Sequence, residues 1–219
     1  MTEIEQPSKK PSSGPRWQRK KEQRPDEIID AARQLFIAQG YAATKVSQIA
    51  KLSGVQPGTL YVYFENKQEL FKAVIRSSLE PLLAYADREI SSYTGATQNL
   101  IRRLVHEYWE LVESEKSHGI VRLVVAEAKN FPEFAEFYTQ HLIAPTRTMI
   151  CRVLEYALKQ NELKLLNMEM ASRIIFMMLH ETIMYADSFS EYDPQPVSQQ
   201  AILNAVSDFI IRSVLKDEG

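Results

Sequence analysis

Residues 40–71 read GYAATKVSQIAKLSGVQPGTLYVYFENKQELF. The stretch holds two short segments with helical apolar spacing, separated by a turn that contains Gly54. Pro57 stands at the first position of the second segment, where a helix tolerates proline because the N–H it lacks would have no partner in the helix. Two short helices joined by such a turn form the helix-turn-helix pattern. We therefore predict an all-α fold whose first domain, residues 25–75, carries a helix-turn-helix unit.

The helix that precedes this unit follows from the same rules. Pro25 suits a first helical turn, and Gly40 suits the left-handed residue that ends a helix. An apolar stripe lies between them, at Ile28, Ala32, Leu35 and Phe36. Thr44 is the predicted N-cap of the second helix. The domain is thus predicted to contain three short helices.

The third helix has one face that suits DNA. At 100° per residue, Leu60 and Phe64 share a face and must pack against the other two helices. Gly58 then points outward, on a face without acidic residues that carries hydroxyl groups at Thr59, Tyr61 and Tyr63. A helix that enters a major groove needs a slim leading end and hydrogen-bond donors. The alternative is that the two tyrosines pack against a neighbouring domain.

The next helix is predicted to begin at Lys67. Asn66 followed by Glu69 is a variant of the capping box, in which the asparagine side chain accepts a hydrogen bond from the first helical turn. Lys67 and the N–H groups of that turn are candidates for holding a DNA phosphate.

Composition supports a helical protein. The chain has 219 residues, of which 45% are hydrophobic and only 7 are glycine, and no segment shows the alternation of a strand. The single cysteine, Cys151, rules out an internal disulfide framework and suits a reducing cytoplasm. No apolar run approaches the roughly 20 residues that cross a bilayer. We expect a cytoplasmic protein with no membrane association.

Charge is distributed unevenly along the chain. Residues 1–76 contain 13 Lys and Arg against 8 Asp and Glu, a net charge of +5, whereas residues 77–219 contain 13 against 20, a net charge of −7. A basic end on an acidic body suggests that one end meets a polyanion. Residues 1–24, rich in proline and serine at first and basic at the end, are predicted to be a disordered arm. The arm either contacts DNA or only solubilises the chain.

The run from Gly40 to Phe71 resembles the DNA-binding domain of the TetR/AcrR family of bacterial transcriptional regulators. The resemblance covers roughly residues 25–75, and its most specific part is the ordered set Gly54-Val55, Gly58-Thr59-Leu60-Tyr61, Phe64 and Lys67-x-x-Leu70. It implies DNA contacts at Thr44, Lys45, Thr59, Tyr61, Tyr63 and Lys67. Gln56 and Pro57 depart from the usual residues of the family, so relatives do not indicate the operator sequence. Thr59 and residues 56–58 are our candidates for reading bases, whereas the tyrosines and lysines chiefly position the helix.

Residues 76–219 are expected to form a helical ligand-binding and dimerisation domain, as the resemblance implies. The stretch VVAEAKNFPEF, residues 124–134, looks like the AefR-like type of C-terminal domain within this family. The fourth helix is the covalent link between the two domains and is expected to break near Pro81. Because it joins the DNA-binding unit to the rest, it is the expected lever of a ligand response.

The last two helices are candidates for a dimer interface. The segment from Met168 to about Ser188 is apolar nearly all round, which predicts burial on every side, and the final helix from Val197 carries an apolar stripe. Two helices from each subunit, related by a two-fold axis, would form a four-helix interface. The predicted interface residues are Ile174, Met178, Ile202, Val206, Phe209 and Ile210. The alternative is that these helices close the core of a single chain.

The ligand pocket is predicted at polar or aromatic side chains placed among apolar ones. These residues are Tyr108, Trp109, Glu127, His141, Phe176 and His180. The alternative for each of them is a core residue whose polar group is satisfied. An apolar or aromatic effector is the expected ligand.

No catalytic or metal motif emerges. The four histidines show no paired spacing, and there is no phosphate-binding glycine loop or recognisable nucleophile turn. We therefore expect no enzyme, no cofactor and no metal, but a homodimeric, ligand-responsive repressor on a palindromic double-stranded operator. The alternatives are a helical small-molecule carrier or enzyme whose basic end is incidental, and a DNA organiser of low specificity.

Overall fold

The computed structural model describes residues 16–114, 119–164 and 167–217. Within these ranges the regular elements are helices, and extended backbone pairs only at a single bridge between Leu163 and Leu215. The helices are α1 (Arg16–Gln39), α2 (Val46–Leu52), α3 (Pro57–Tyr63), α4 (Lys67–Ser92), α5 (Thr97–Glu113), α6 (Ile120–Glu127), α7 (Pro132–Tyr138), α8 (Ala144–Lys159), α9 (Met168–Ser188) and α10 (Gln199–Val214). The all-α prediction is confirmed.

The N-terminal unit consists of α1, α2 and α3 packed against the first half of α4. Its core is made of large side chains that are fully buried, namely Ile28, Phe36, Ile49, Leu60 and Phe71. The three short helices and the turn at Gly54, which has a φ of 67°, agree with the predicted helix-turn-helix unit. Burial of this shared core holds α3 in a defined orientation on the surface.

The first helix begins earlier than predicted. α1 begins at Arg16, so Pro25 lies inside the helix and the predicted start at Pro25 is wrong. Arg, Lys, Gln and Glu dominate residues 16–24, and these strong helix formers outweigh the cost of one interior proline. The arm predicted over residues 1–24 therefore does not extend past residue 15, and residues 1–15 lie outside the described residues.

The cap of α2 also differs from the prediction. Lys45, not Thr44, is the N-cap, and the Gln48 side chain accepts the backbone N–H of Lys45 at 2.8 Å. The Thr44 hydroxyl cannot cap α2 because it donates backwards to the carbonyl oxygen of Gly40 at 2.7 Å. Thr44 thus closes the end of α1 instead of opening α2.

The fourth helix is continuous, so the break predicted near Pro81 is wrong. Leu79 and Leu82 are both buried on either side of the proline, and their packing offsets the one backbone hydrogen bond that Pro81 cannot donate. Asn66 caps this helix as predicted, with its side chain accepting the N–H of Glu69 at 2.9 Å. α4 therefore extends from the N-terminal unit into the C-terminal domain without interruption.

In the C-terminal domain α4 packs against α5 and α8, while α9 packs on α8 and α10 packs on α5 and α9. Its chain is helical from Pro132 to Lys159, because α7 and α8 are joined by a π-helical turn at Thr139–Ile143. In that turn the N–H of Ala144 donates to the carbonyl of Thr139. Pro145 follows at once, and the wider turn makes room for its ring and for the N–H it lacks.

Two asparagines lie between α8 and α9. Asn161 adopts the left-handed conformation with a φ of 60°, and Asn167 caps α9 by accepting the N–H of Met170 at 3.0 Å. Among the described residues, no helix combines the length and the apolar character needed to cross a bilayer.

Candidate nucleic-acid interface and ligand cavity

The surface of α3 has the predicted orientation. Leu60 is fully buried, whereas Tyr61 is 52% exposed and Val62 is 79% exposed. Gln56, Pro57 and Gly58 are exposed at the leading end, and Thr59 and Tyr63 are half-buried on the flanks. The alternative that both tyrosines pack against a neighbouring domain does not hold for Tyr61. The DNA contacts themselves stay a prediction.

Gly58 leaves open space at the start of α3. A Cβ atom built on this glycine has no other atom within 4 Å, so the backbone of the first turn is accessible from outside. Lys45 is also exposed, at the N-terminus of α2. Exposed backbone N–H groups and a lysine at helix N-termini are what a DNA phosphate requires.

Two of the predicted DNA contacts are directed inward instead. Thr44 is 1% exposed, so its side chain is inaccessible to a phosphate. The Lys67 ammonium donates to the carbonyl oxygens of Tyr41 at 2.9 Å, Thr44 at 3.0 Å and Ala42 at 3.4 Å. These carbonyls belong to the turn between α1 and α2, so the ammonium joins that turn to the start of α4. The buried Thr44 side chain is therefore a correction to the prediction, whereas a DNA contact of the half-buried Lys67 stays a prediction.

Lys67→Met is expected to destabilise the protein instead of only weakening DNA binding. The change leaves carbonyl groups of the α1–α2 turn without their charged donor, and we expect a loss of about 2 kcal/mol in the free energy of unfolding. Thermal unfolding by circular dichroism should show the effect, with Lys129→Met, at an exposed position, as the control. An unchanged melting temperature together with weaker DNA binding would mean that Lys67 serves the phosphate after all.

The two domains meet at a cluster of aromatic rings. Tyr41 in the α1–α2 turn lies 4.8 Å, centroid to centroid, from both Phe131 and Phe134 of the α6–α7 segment. Phe134 also lies 4.5 Å from Phe71 of α4. Burial, with the nearby carboxylates of Glu133 and Glu127, raises the pKa of Tyr41 to about 12. The cluster joins α1, α4 and α7 in one packed contact.

Glu127 belongs to this junction and not to a ligand pocket, which corrects its prediction. Its carboxylate accepts the backbone N–H of Tyr41 at 3.2 Å. Burial lowers the pKa of Lys67, and the negative charge of Glu127 opposes that shift. At the other end of α6, Gly119 has a φ of 76°, and a Cβ there would lie 3.0 Å from the Ile37 side chain of α1, so both the backbone and the close approach favour glycine. The α6–α7 segment is thus bonded to the turn that precedes the DNA-binding helices.

A central cavity of about 90 Å³ lies in the C-terminal domain. Seventeen residues from five helices line it, and among the predicted pocket residues only Tyr108 is one of them. They are Leu82, Leu83, Tyr85, Ala86 and Ile90 of α4, Ile101, Leu104, Val105 and Tyr108 of α5, Thr146, Met149, Ile150, Val153 and Leu154 of α8, Ile175 and Leu179 of α9, and Ile210 of α10. Helical apolar stripes in the sequence contain these residues, but stripes alone do not distinguish a cavity wall from a solid core.

The remaining predicted pocket residues lie elsewhere. Phe176 and His180 line a separate surface groove beside Tyr138, between α6, α7 and α9. Trp109 faces a pocket near the start of α10, and its indole N–H has no hydrogen-bond partner among the described residues. His141 is exposed and stacks on Phe137, with ring centroids 4.1 Å apart. The prediction of one pocket built from these side chains is wrong because helix rotation, invisible in composition, sends them to different faces.

An apolar surface covers part of α9 and α10, so the predicted burial of α9 on every side is wrong for the single chain. Met170 is 53% exposed, Ile174 48% and Met177 58% on α9, and Phe209 is 59% exposed on α10. We call this surface the α9–α10 face. Ile210 is 3% exposed and lines the cavity, so its predicted interface role is wrong: it lies one helical step from Phe209 and turns inward.

The three other predicted interface residues, Met178, Ile202 and Val206, are half-buried, and Met178 and Val206 pack against the core of the chain. Within the described ranges, no three His, Cys, Asp or Glu side chains gather where they could hold a metal ion.

Comparison with known proteins agrees with this arrangement. The chain is 30% identical over 129 residues to the HTH-type transcriptional regulator YhgD of Bacillus subtilis (strain 168), covering 59% of this chain and 62% of that relative. It is 25% identical over 166 residues to the Fatty acid metabolism regulator protein of the same organism, covering 74% of this chain and 84% of the relative. The chain thus spans less than two thirds of the first relative and most of the second.

Solved structures share the fold. The complex of triclosan with SmeT, the repressor of the Stenotrophomonas maltophilia multidrug efflux pump SmeDEF, matches with a TM-score of 0.74 and 19% identity over 89% of this chain and 92% of that chain. The transcriptional regulator FadR from Bacillus subtilis with stearoyl-CoA matches with a TM-score of 0.67 and 20% identity over 85% of this chain and 97% of that chain.

Family models account for most of the described chain. Residues 28–74 match the model of the bacterial regulatory proteins of the tetR family. Residues 99–211 match the model of the C-terminal domain of AefR-like transcriptional repressors. The helix-turn-helix unit and the helical domain behind it therefore have one explanation: the chain belongs to the TetR family of regulatory proteins, with a C-terminal domain of the AefR-like type.

Proposed function

We propose that this protein is a homodimeric repressor that binds a palindromic DNA operator through α3 and leaves it when an apolar or aromatic effector fills the central cavity. The observation that carries the proposal is the outward face of α3, with Gly58 open at its leading end. A carrier or an enzyme would need no such face. The repressor acts on DNA in the cytoplasm, and the proposal assigns it no catalytic step.

Dimerisation is proposed through the α9–α10 face. Exposed methionine, isoleucine and phenylalanine side chains on two neighbouring helices are costly in water, and a two-fold axis lets the same face cover itself. The dimer would present two α3 helices to successive major grooves, about 34 Å apart. Lys45, Gln56, Pro57, Gly58, Thr59, Tyr61 and Tyr63 remain the proposed DNA-contacting residues.

The proposed switch connects the cavity to α3 through α4. A cavity of about 90 Å³ is small beside the roughly 300–1,000 Å³ of ordinary ligand pockets, so an effector must push its walls apart. Five of the lining residues belong to α4, whose first half packs in the DNA-binding unit. Displacing α4 would therefore change the tilt of α3 and the spacing of the two recognition helices.

Two ion pairs join α4 to neighbouring helices beside the cavity. Arg103 of α5 pairs with Glu89 of α4, and Arg152 of α8 pairs with Asp87 of α4 at 2.5 Å. These pairs are partly exposed and contribute little stability, so they guide the position of α4 without locking it. The triclosan and stearoyl-CoA bound by SmeT and FadR make an apolar effector a reasonable class for a protein with this fold.

Operator binding is the direct test. Duplexes that tile the DNA flanking the gene for this protein should include one that binds the dimer with a Kd of about 10⁻⁸ M or tighter, and a shuffled duplex should not compete. Fluorescence anisotropy at several salt concentrations should give a steep linear fall of log K with log salt, because about 6–10 phosphates release counterions. Equal competition by shuffled DNA would favour a DNA organiser of low specificity, and no binding at all would contradict the proposal.

A further inference from the structure

The walls of the central cavity are uncharged. None of the described residues that line it is Asp, Glu, Lys, Arg or His, and its only hydroxyl groups belong to Tyr85, Tyr108 and Thr146. A charged group placed there would lose its hydration without gaining a counter-ion. The chemistry of the wall therefore disfavours a ligand whose charged group enters the cavity.

Thr146 is the polar side chain whose bonding is incomplete. It is 8% exposed, and its hydroxyl oxygen is fully buried without a hydrogen-bond partner among the described residues. By contrast, the hydroxyl of Tyr85 accepts from Arg103 Nε at 3.4 Å. Leaving a buried hydroxyl unpaired costs about 1–3 kcal/mol, which a ligand group could recover.

The π-helical turn explains why Thr146 lacks a partner. A threonine in a helix usually donates to the carbonyl four residues earlier, as Thr139 does to Ala135 at 2.8 Å and Thr148 to Ala144 at 3.1 Å. For Thr146 that carbonyl belongs to Leu142, which lies inside the π-helical turn, where backbone hydrogen bonds span five residues instead of four. The turn before Pro145 thus leaves the hydroxyl of a cavity-lining residue unsatisfied, and because its oxygen is covered, a rotation about χ1 that exchanges the hydroxyl and methyl groups would present it to a ligand.

Tyr108 is the second polar group on the wall. It is 7% exposed and comes from α5, on the helix that packs across the cavity from α8. Burial raises its pKa well above the ordinary value, so the phenol stays neutral and adds no charge to the wall. A ligand between α5 and α8 therefore meets apolar carbon with two neutral hydroxyl groups.

We propose that the cavity selects an uncharged, largely apolar molecule with one hydrogen-bonding group, and that Thr146 is the specificity-determining residue that binds this group. The inference rests on the proposed function, since it names the class of effector for the same cavity. The nearby cations Arg103 and Arg152 already pair with Glu89 and Asp87, so neither is available to an anionic ligand group.

The test compares three probes of one shape: para-ethylphenol, ethylbenzene and para-ethylbenzoate. Isothermal titration calorimetry on the protein without DNA should rank the phenol above ethylbenzene by about tenfold, the value of one hydrogen bond. The benzoate should bind at least about a hundredfold more weakly than the phenol, because its carboxylate must be desolvated.

The Thr146→Val variant keeps the shape of the side chain and removes its hydroxyl. It should lose the preference for the phenol over ethylbenzene while binding ethylbenzene as tightly as before, and its melting temperature without ligand should not fall. Thr148→Val is the matched control on the same helix, since the Thr148 hydroxyl already bonds to Ala144, and it should keep the preference.

Three results would overturn the inference: a benzoate that binds as well as the phenol, a preference for the phenol that survives Thr146→Val, or no binding of the phenol at millimolar concentration. None of these results affects the test of operator binding, because that test is done without the probes. A chain that binds its operator and fails here is a regulator with a different effector class, whereas a chain that binds the phenol and no operator would contradict the proposed function alone.

Discussion

Gly58→Glu is expected to reduce operator affinity by at least about a hundredfold while leaving the fold intact. Gly58 stands at the leading end of α3, and a side chain added there meets open space instead of protein atoms. A glutamate in the first turn of a helix is compatible with the helix dipole, so α3 itself is not destabilised. In the complex, however, the new side chain would occupy the approach to the groove and bring a negative charge to the phosphates.

Anisotropy titration against the operator measures this effect, with helix content and melting temperature recorded in parallel. Leu158→Glu is the matched control, because it adds the same charge at a 55% exposed apolar position on α8. The control should bind the operator normally. Normal binding by Gly58→Glu would mean that the leading end of α3 does not face DNA.

The second large effect is expected from Ile174→Glu on the α9–α10 face. Ile174 is 48% exposed in the single chain, so a glutamate there is tolerated by the monomer. In a two-fold interface the substitution appears twice, and each buried carboxylate costs several kcal/mol without a partner. We expect the dimer to dissociate at micromolar concentration and the operator affinity to fall by more than about a hundredfold, since each half-site then binds alone.

Sedimentation velocity combined with operator titration tests this expectation, again with Leu158→Glu as the control for added charge. Circular dichroism should show that the monomeric variant keeps its helices. A variant that stays dimeric would place the interface outside the α9–α10 face, and a wild-type chain that sediments as a monomer would remove the dimer from the proposed function.

Local rules account for much of the fold and for part of the DNA-binding surface. Apolar spacing, Pro57 at a helix start and Gly54 in a turn led to α2, α3 and the outward face of α3, because each depends on a few neighbouring residues. Asn66 was identified as a cap for the same reason. At Pro25 two local preferences competed. The helix-forming residues before the proline outweighed its preference for a helix start, so α1 begins at Arg16 instead of at Pro25.

Those local rules do not predict contacts between residues that are distant in sequence. The sequence around Lys67 predicts a phosphate-binding residue. In the structure its ammonium donates to carbonyls of residues 23 to 26 positions earlier in the chain. In the sequence Glu127 is a polar residue among apolar ones, yet in the structure its carboxylate accepts the backbone N–H of Tyr41, 86 residues away. A charged side chain bonds to whichever unsatisfied group the packed chain brings near it, and one sequence segment does not contain that information.

The helices, their order and the outward face of α3 thus follow from short-range spacing, capping and turn chemistry along the chain. The position of the cavity, the unsatisfied hydroxyl of Thr146 and the division of the final two helices into a wall and an exposed face arise only when the helices pack. A rotation of one residue, 100° about a helix axis, moves a side chain from interface to cavity, as it does between Phe209 and Ile210. Packing between helices sets that rotation, so the ligand site required the folded molecule.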